Sequence, residues 1–202
     1  EPATRRARLL VAYEGSHFSG FAINEGVRSV AGVIGDALSL ISRYPVHITG
    51  AGRTDAGVHG WGQVITCDLP VDIDLETLPR RLTKMCAPGV VVRDVEWAAS
   101  DFHARFSARE RRYLFRMVAR RAPVTHDRGR VWQVLGRPDL EAMRAGAAYL
   151  LGKHDFTTFR STYCQAASPV KTLDEVTITE MPYPMGVEYR FTLRARSFLH
   201  NQ

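Results

Sequence analysis

Val46-His47-Ile48-Thr49-Gly50-Ala51-Gly52-Arg53-Thr54-Asp55-Ala56-Gly57-Val58-His59-Gly60-Trp61-Gly62-Gln63-Val64-Ile65-Thr66-Cys67 is the most informative run in the chain. Two β-prone segments, Val46–Thr49 and Val64–Cys67, enter and leave it, so strand, loop, strand is the expected local structure. Five glycines lie between Gly50 and Gln63, a density that lets the backbone bend sharply and another molecule come close. At the centre, Arg53 and Asp55 stand among small neighbours. Such a pair reads either as a structural ion couple or as a presented carboxylate beside a cation, fit for nucleophilic or acid/base work. Other glycine-loop chemistries fail here. The dinucleotide fingerprint would need glycine at position 55, the phosphate loop would need a closing Gly-Lys-Ser/Thr, and no Ser or Cys occupies a nucleophile elbow.

Upstream, Arg8–Tyr13 is a short apolar run that reads as a buried strand, followed by a turn-rich segment to Phe21. Ser29 can cap a helix whose apolar positions Val30, Val33, Ile34, Ala37, Leu38 and Ile41 recur at spacings of three and four. Downstream, a second helix is expected over Asp74–Met85, with Pro79 inside its pattern and a basic face of Arg80, Arg81 and Lys84. Val90–Trp97 reads as a further strand. Strand, helix, strand, helix, strand predicts an α+β unit of ferredoxin-like type.

From Arg105 to Arg121 there are seven arginines against one glutamate. Within that span Tyr113, Phe115 and Met117 alternate with Arg112, Leu114 and Arg116, the period of a strand. Aromatics beside guanidinium groups suit stacking on bases and pairing with phosphates, whereas an aromatic face can equally be core. Phe115 is expected in the core. The segment 121–137 reads as a connector, Asp139 as the cap of a helix through Leu151, and Val170–Thr179 and Val187–Arg194 as paired strands.

Composition bounds the function. With 202 residues, net charge +6 and a pI near 9.5, the chain can bury a sizeable core and favours polyanionic partners. Cys67, Cys86 and Cys164 form no CxxC pair, and the seven His do not fall at metal-ligand spacing, so neither a disulfide framework nor a metal site is expected. No run of eighteen apolar residues and no signal core occurs. A cytoplasmic protein without membrane contact is the expectation.

The octapeptide Gly52–His59, Gly-Arg-Thr-Asp-Ala-Gly-Val-His, closely resembles the central motif of the TruA-type tRNA pseudouridine synthases. Resemblance extends to Tyr13, Gly15, Phe18 and Gly20 of an upstream motif, from which Glu14, Phe21 and Ala22 depart. It extends also to Phe102–Ser107, to Arg111–Tyr113, to Leu151–Arg160, and to Arg196–Gln202, which resembles the opening of a third motif. The resemblance implies a pseudouridine synthase fold: two ferredoxin-like α/β halves, mainly antiparallel, with helices on one face and a catalytic cleft between the halves. The expected division is 1–100 for the half with the Asp55 loop and 101–202 for a second half cut short at its end. It implies isomerisation of uridines in the tRNA anticodon arm by a homodimer, without metal or organic cofactor. Asp55 would be the catalytic carboxylate, with Arg53 on a phosphate or in the space of the flipped base and Tyr113 stacked on the uracil. Arg105, Arg111, Arg112, Arg160 and His59 would contact RNA, and an Arg partner of Asp55 would lie beyond Gln202. The competing reading is a non-catalytic RNA-binding module on a ferredoxin-like fold. It explains the charge but not a carboxylate in an RNA-facing loop. An aspartic hydrolase would want a second Asp in a similar frame.

Overall fold

The computed structural model describes residues 2–200 and 202. Two compact units emerge, Glu1–Ala108 and Arg109–Gln202. The first runs β1 (Thr4–Tyr13), α1 (Val30–Ser42), β2 (Thr49–Gly50), β3 (Gly60–Pro70), α2 (Leu78–Cys86) and β4 (Val90–Trp97). Its antiparallel sheet has the order β2-β3-β1-β4, the split βαβ arrangement of ferredoxin-like folds. Alternation drives β1: Ala7, Leu9, Val11 and Tyr13 are buried, and they pack with Ile34 and Leu38 of α1 and Leu78 and Leu82 of α2. α1 begins where Ser29 Oγ accepts the Gly32 N–H at 3.1 Å. It stops at Arg43, which turns left-handed at φ 51°.

Two elements differ from expectation. Of the run Val46–Thr49 only Thr49 joins the sheet, together with Gly50. Val46 donates its N–H to Ser39 Oγ at 2.9 Å, so its backbone is committed to α1 while its side chain enters the core. α2 begins at Leu78 rather than Asp74. The Asp74 carboxylate accepts the Glu76 N–H at 3.0 Å and forms a turn, and Pro79 then falls in the first helical turn, where a missing N–H costs nothing.

Phe102–Ser107 belongs with the first unit. Ala104 donates its N–H to the buried Thr66 Oγ1 at 2.9 Å, and the Phe102 carbonyl accepts from Arg6 Nη1.

The second unit comprises β5 (Arg111–Ala119), β6 (Trp132–Val134), α3 (Leu140–Ala148), β7 (Gly152–Asp155), β8 (Val170–Tyr183) and β9 (Gly186–Ala195). The sheet order is β6-β5-β9-β8-β7, antiparallel except for the β5–β6 pair. β5, α3, β8 and β9 thus repeat the arrangement of β1, α1, β2 and β3. Asp139 caps α3, accepting from the Glu141 and Ala142 N–H groups at 2.9 and 3.0 Å.

One apolar cluster gathers Met117, Ala119, Ile178 and Tyr189 under Leu140, Met143 and Ala147 of α3. Another gathers Phe156, Leu173, Ala195 and Leu199. Phe115 lies on the same strand face between these two clusters, so the expected core position is corrected: the residue is 49% exposed. Its ring neighbours are Phe191, edge-on at 6.0 Å, and Trp132 at 6.3 Å. The opposite face is polar. There Arg116 Nε donates to the buried Glu188 carboxylate at 2.6 Å, and its Nη1 reaches Asp127 at 3.2 Å, tying the 121–131 connector to the sheet. Among the described residues, no helix is long and apolar enough to cross a membrane.

Candidate active site

The loop 51–59 connects β2 to β3, and its own sequence fixes its shape. Ala51 N–H donates to the Val64 carbonyl at 2.8 Å, extending the ladder past β2. Gln63 Nε2 donates to the Gly52 carbonyl at 2.7 Å. Beyond Gly52 the chain zigzags, with Thr54 half-buried and Arg53 and Asp55 exposed on either side of it. Thr54 is held twice: its carbonyl accepts the Phe21 N–H at 3.0 Å, and its hydroxyl meets Tyr13 Oη at 2.8 Å. The loop turns at Ala56–Gly57, where Val58 N–H returns to the Asp55 carbonyl at 3.2 Å and Gly57 takes φ +80°. Glycine adopts that conformation without penalty.

The segment after β1 presses against this turn. A Cβ on Gly15 would lie 2.1 Å from the Val58 carbonyl oxygen, so only glycine permits the approach. Gly15 N–H donates to His59 Nδ1 at 3.0 Å, and the Glu14 carboxylate stands 3.2 Å from the same nitrogen. His59, an expected RNA contact, also braces the loop through this bond. The Ser16 hydroxyl holds the Glu14 carboxyl below the usual carboxylate range, with His59 and His17 adding to the effect. Burial pushes the Tyr13 hydroxyl up, against the lowering effect of its hydrogen bonds to Thr54 and Gln63. Tyr13 is therefore a neutral phenol at physiological pH, used as a fixed hydrogen-bonding post. The net result is a clamped backbone with two outward side chains, Arg53 and Asp55. A carboxylate so placed is reachable by a substrate atom and pre-positioned by the shell beneath it.

Arg105, in the first unit, is exposed and lies over the Phe106 ring at 5.7 Å. In the second unit, Tyr113 is half-buried on β5 with its ring edge-on to Phe198 at 4.9 Å. Arg111 donates from Nη1 to the Arg196 carbonyl at the same end of that strand. Arg160 precedes Ser161, whose N–H donates to the His200 carbonyl at 2.9 Å. The 196–200 segment therefore gathers the neighbourhoods of Arg111, Tyr113 and Arg160. Arg112 points elsewhere, exposed and paired with Glu110 at 2.9 Å. The brace of Tyr13, Thr54 and Gln63 is not visible in the sequence; the one available signal is the placement of Thr54 between two outward-facing neighbours. Among the described residues no group of three or more His, Cys, Asp or Glu is placed to hold a metal.

A protein of Paracoccus denitrificans called tRNA pseudouridine synthase A is 58% identical over 201 residues, covering 98% of this chain and 77% of the relative. The chain belongs to the tRNA pseudouridine synthase A family. Relatives of the same name from Dinoroseobacter shibae and Ruegeria sp. are 54% and 50% identical, again over 98% of this chain, and 77% and 76% of their own lengths. A family model described as tRNA pseudouridine synthase matches residues 147–202. The α+β architecture of both units fits that membership.

Proposed function

We propose that this chain isomerises uridine to pseudouridine in the anticodon arm of tRNA, with Asp55 as the catalytic carboxylate. One observation carries the reading: the loop 51–59 is braced from within through Thr54, Gly52 and His59, while Asp55 and Arg53 stand exposed. Family membership supports the reaction class. The basic balance of the chain, net +6, supports a polyanionic substrate.

In the reaction the C1′–N1 bond breaks, the uracil turns, C5 bonds to C1′, C5 gives up its proton and N1 gains one. Atoms and electrons are conserved, so no co-reactant is consumed. Asp55 acts by attack on ribose C1′ or uracil C6, or by assisting elimination from the ribose. The target base must first leave its stack at a cost of a few kcal/mol, and each aromatic contact returns about 1–3 kcal/mol. Arg53 holds the neighbouring phosphate or occupies the vacated space. Tyr113 stacks on the uracil and takes part in the loss of the C5 proton. Arg105, Arg111, Arg112 and Arg160 pair with the RNA backbone, and His59 supports the Asp55 loop itself. The enzyme works as a cytoplasmic homodimer; three free cysteines suit a reducing compartment.

The test is tritium release from tRNA labelled at uracil C5. Asp55→Ala abolishes release while tRNA affinity stays within about threefold, a difference of under about 0.7 kcal/mol. Release by Asp55→Ala at the parent rate refutes the assignment. Binding without release by the parent protein would leave only an RNA-binding module.

A further inference from the structure

We propose that Trp61, with Arg93 beside it, is a stacking platform for an unpaired base of the tRNA next to the target nucleotide. The inference rests on the function proposed above and adds a binding residue that the reaction itself does not use. Trp61 lies on β3 just past the Asp55 loop and is 76% exposed, although indole is among the most costly side chains to leave in water.

The sheet itself aims it outward. Val11 pairs with Gln63 and Tyr13 pairs with Gly60, so the single residue Ala12 faces both Trp61 and Gly62 across the strands. That extra residue is a β-bulge, a device that redirects a side chain and recurs beside active sites. Gly62 leaves the ground next to the indole bare. A Cβ there would meet nothing nearer than Leu10 Cδ1 at 3.7 Å, so packing does not demand glycine at this position. A cation completes the set. Arg93, exposed on β4, donates from Nη1 to the Trp61 backbone carbonyl at 3.2 Å, which brings a guanidinium to the main chain of the same residue. An open aromatic face with an adjacent positive charge is the combination that holds single-stranded nucleic acid, the ring on a base and the cation on its phosphate. A neutral protein partner would have no use for the arginine.

The experiment compares the parent protein with Trp61→Ala and Trp61→Phe, binding tRNA at fixed salt and turning it over at saturation. Trp61→Ala weakens tRNA binding by between about 5- and 140-fold. Trp61→Phe recovers most of that loss, and kcat at saturating tRNA stays within twofold in both. In a Trp97→Phe/Trp132→Phe background, the remaining Trp61 fluorescence is quenched on adding tRNA. Unchanged affinity of Trp61→Ala with unchanged fluorescence overturns the proposal. So does a change in self-association by Trp61→Ala without a change in RNA affinity, since the indole would then serve a second copy of the chain. If the parent binds tRNA through Trp61 but forms no pseudouridine, the catalytic reading fails and the platform stands. If the parent binds no tRNA, both fall.

Discussion

Tyr13→Phe removes one oxygen atom from beneath the Asp55 loop and leaves the rest of the side chain in place. The ring is buried and packs against the backbone at Gly60, where an added Cβ would come within 2.5 Å of it, so the phenyl group of the variant keeps its seat. What is lost is the 2.8 Å contact to Thr54 Oγ1, the side-chain tie on the residue directly before Asp55, together with the bond to Gln63. A net hydrogen bond of this kind contributes about 1 kcal/mol, and the stranded Thr54 hydroxyl adds to the cost because the residue is half-buried. Global stability therefore drops by about 1–2 kcal/mol, readable as a shifted urea midpoint at unchanged slope. Turnover suffers more, since an error of about 1 Å in a catalytic group can cost about a hundredfold. The expectation is a kcat lowered by about ten- to a hundredfold with KM within about twofold, because Tyr13 is buried away from substrate. Thr54→Val, which keeps the shape and drops the hydroxyl, gives a similar loss. The double variant is then no worse than either single one, a coupling of at least about 1 kcal/mol. Losses that multiply in the double variant, or a Tyr13→Phe enzyme with parental kcat, would refute the idea that this contact positions Asp55.

Contacts elsewhere in the molecule set further expected outcomes. Tyr113→Phe keeps its edge contact with Phe198 but lacks the hydroxyl, so substrate affinity is held while C5 tritium release slows by at least about tenfold. Arg116→Ala leaves the buried Glu188 with Arg190 as its remaining ion-pair partner and destabilises the second unit by about 3 kcal/mol in chemical denaturation. Hydrogen bonding to Arg116 holds Glu188 and Asp127 below the usual carboxylate range. Their contribution is thus complete above the unfolded carboxylate pKa of about 4 and fades as pH falls through the lower folded values; Arg116→Ala flattens that acid limb of the stability curve. Thiol reagents label Cys164 first. Backbone hydrogen bonds from Ala166 and His200 lower its pKa, whereas burial pushes Cys67 up to about 12 and raises Cys86 as well. Peptide mapping after brief alkylation checks the order.

Much of this architecture is legible in the residues. α1 announces itself because a capping serine and an apolar period coincide, and β4 because its β-branched run Val90–Val92 resumes at Val95, across a break at Arg93–Asp94. Asp55 can be singled out because glycine on both sides leaves few reasons for a charged residue. What stays hidden depends on contacts distant in sequence. Tyr13 and Thr54 are separated by 41 positions, and nothing local in either reveals the other. Val46 looks like a strand residue until Ser39 claims its N–H. Phe115 follows the same alternation as Met117, yet α3 covers only the latter. β6 is short, and only its pairing with Met117–Ala119 defines it.

The duplicated scaffold has a consequence for how reactivity can be redistributed. In one copy the hairpin connection is the loop 51–59; in the other, β8 turns into β9 through Pro184 and Met185 alone. The same strands and helix therefore stand once with a long insert and once with a blank socket. Transplanting the longer connection into the blank socket would ask whether a frame of this kind tolerates chemistry wherever its hairpin is lengthened, or whether the supporting phenol and glycine must travel with it.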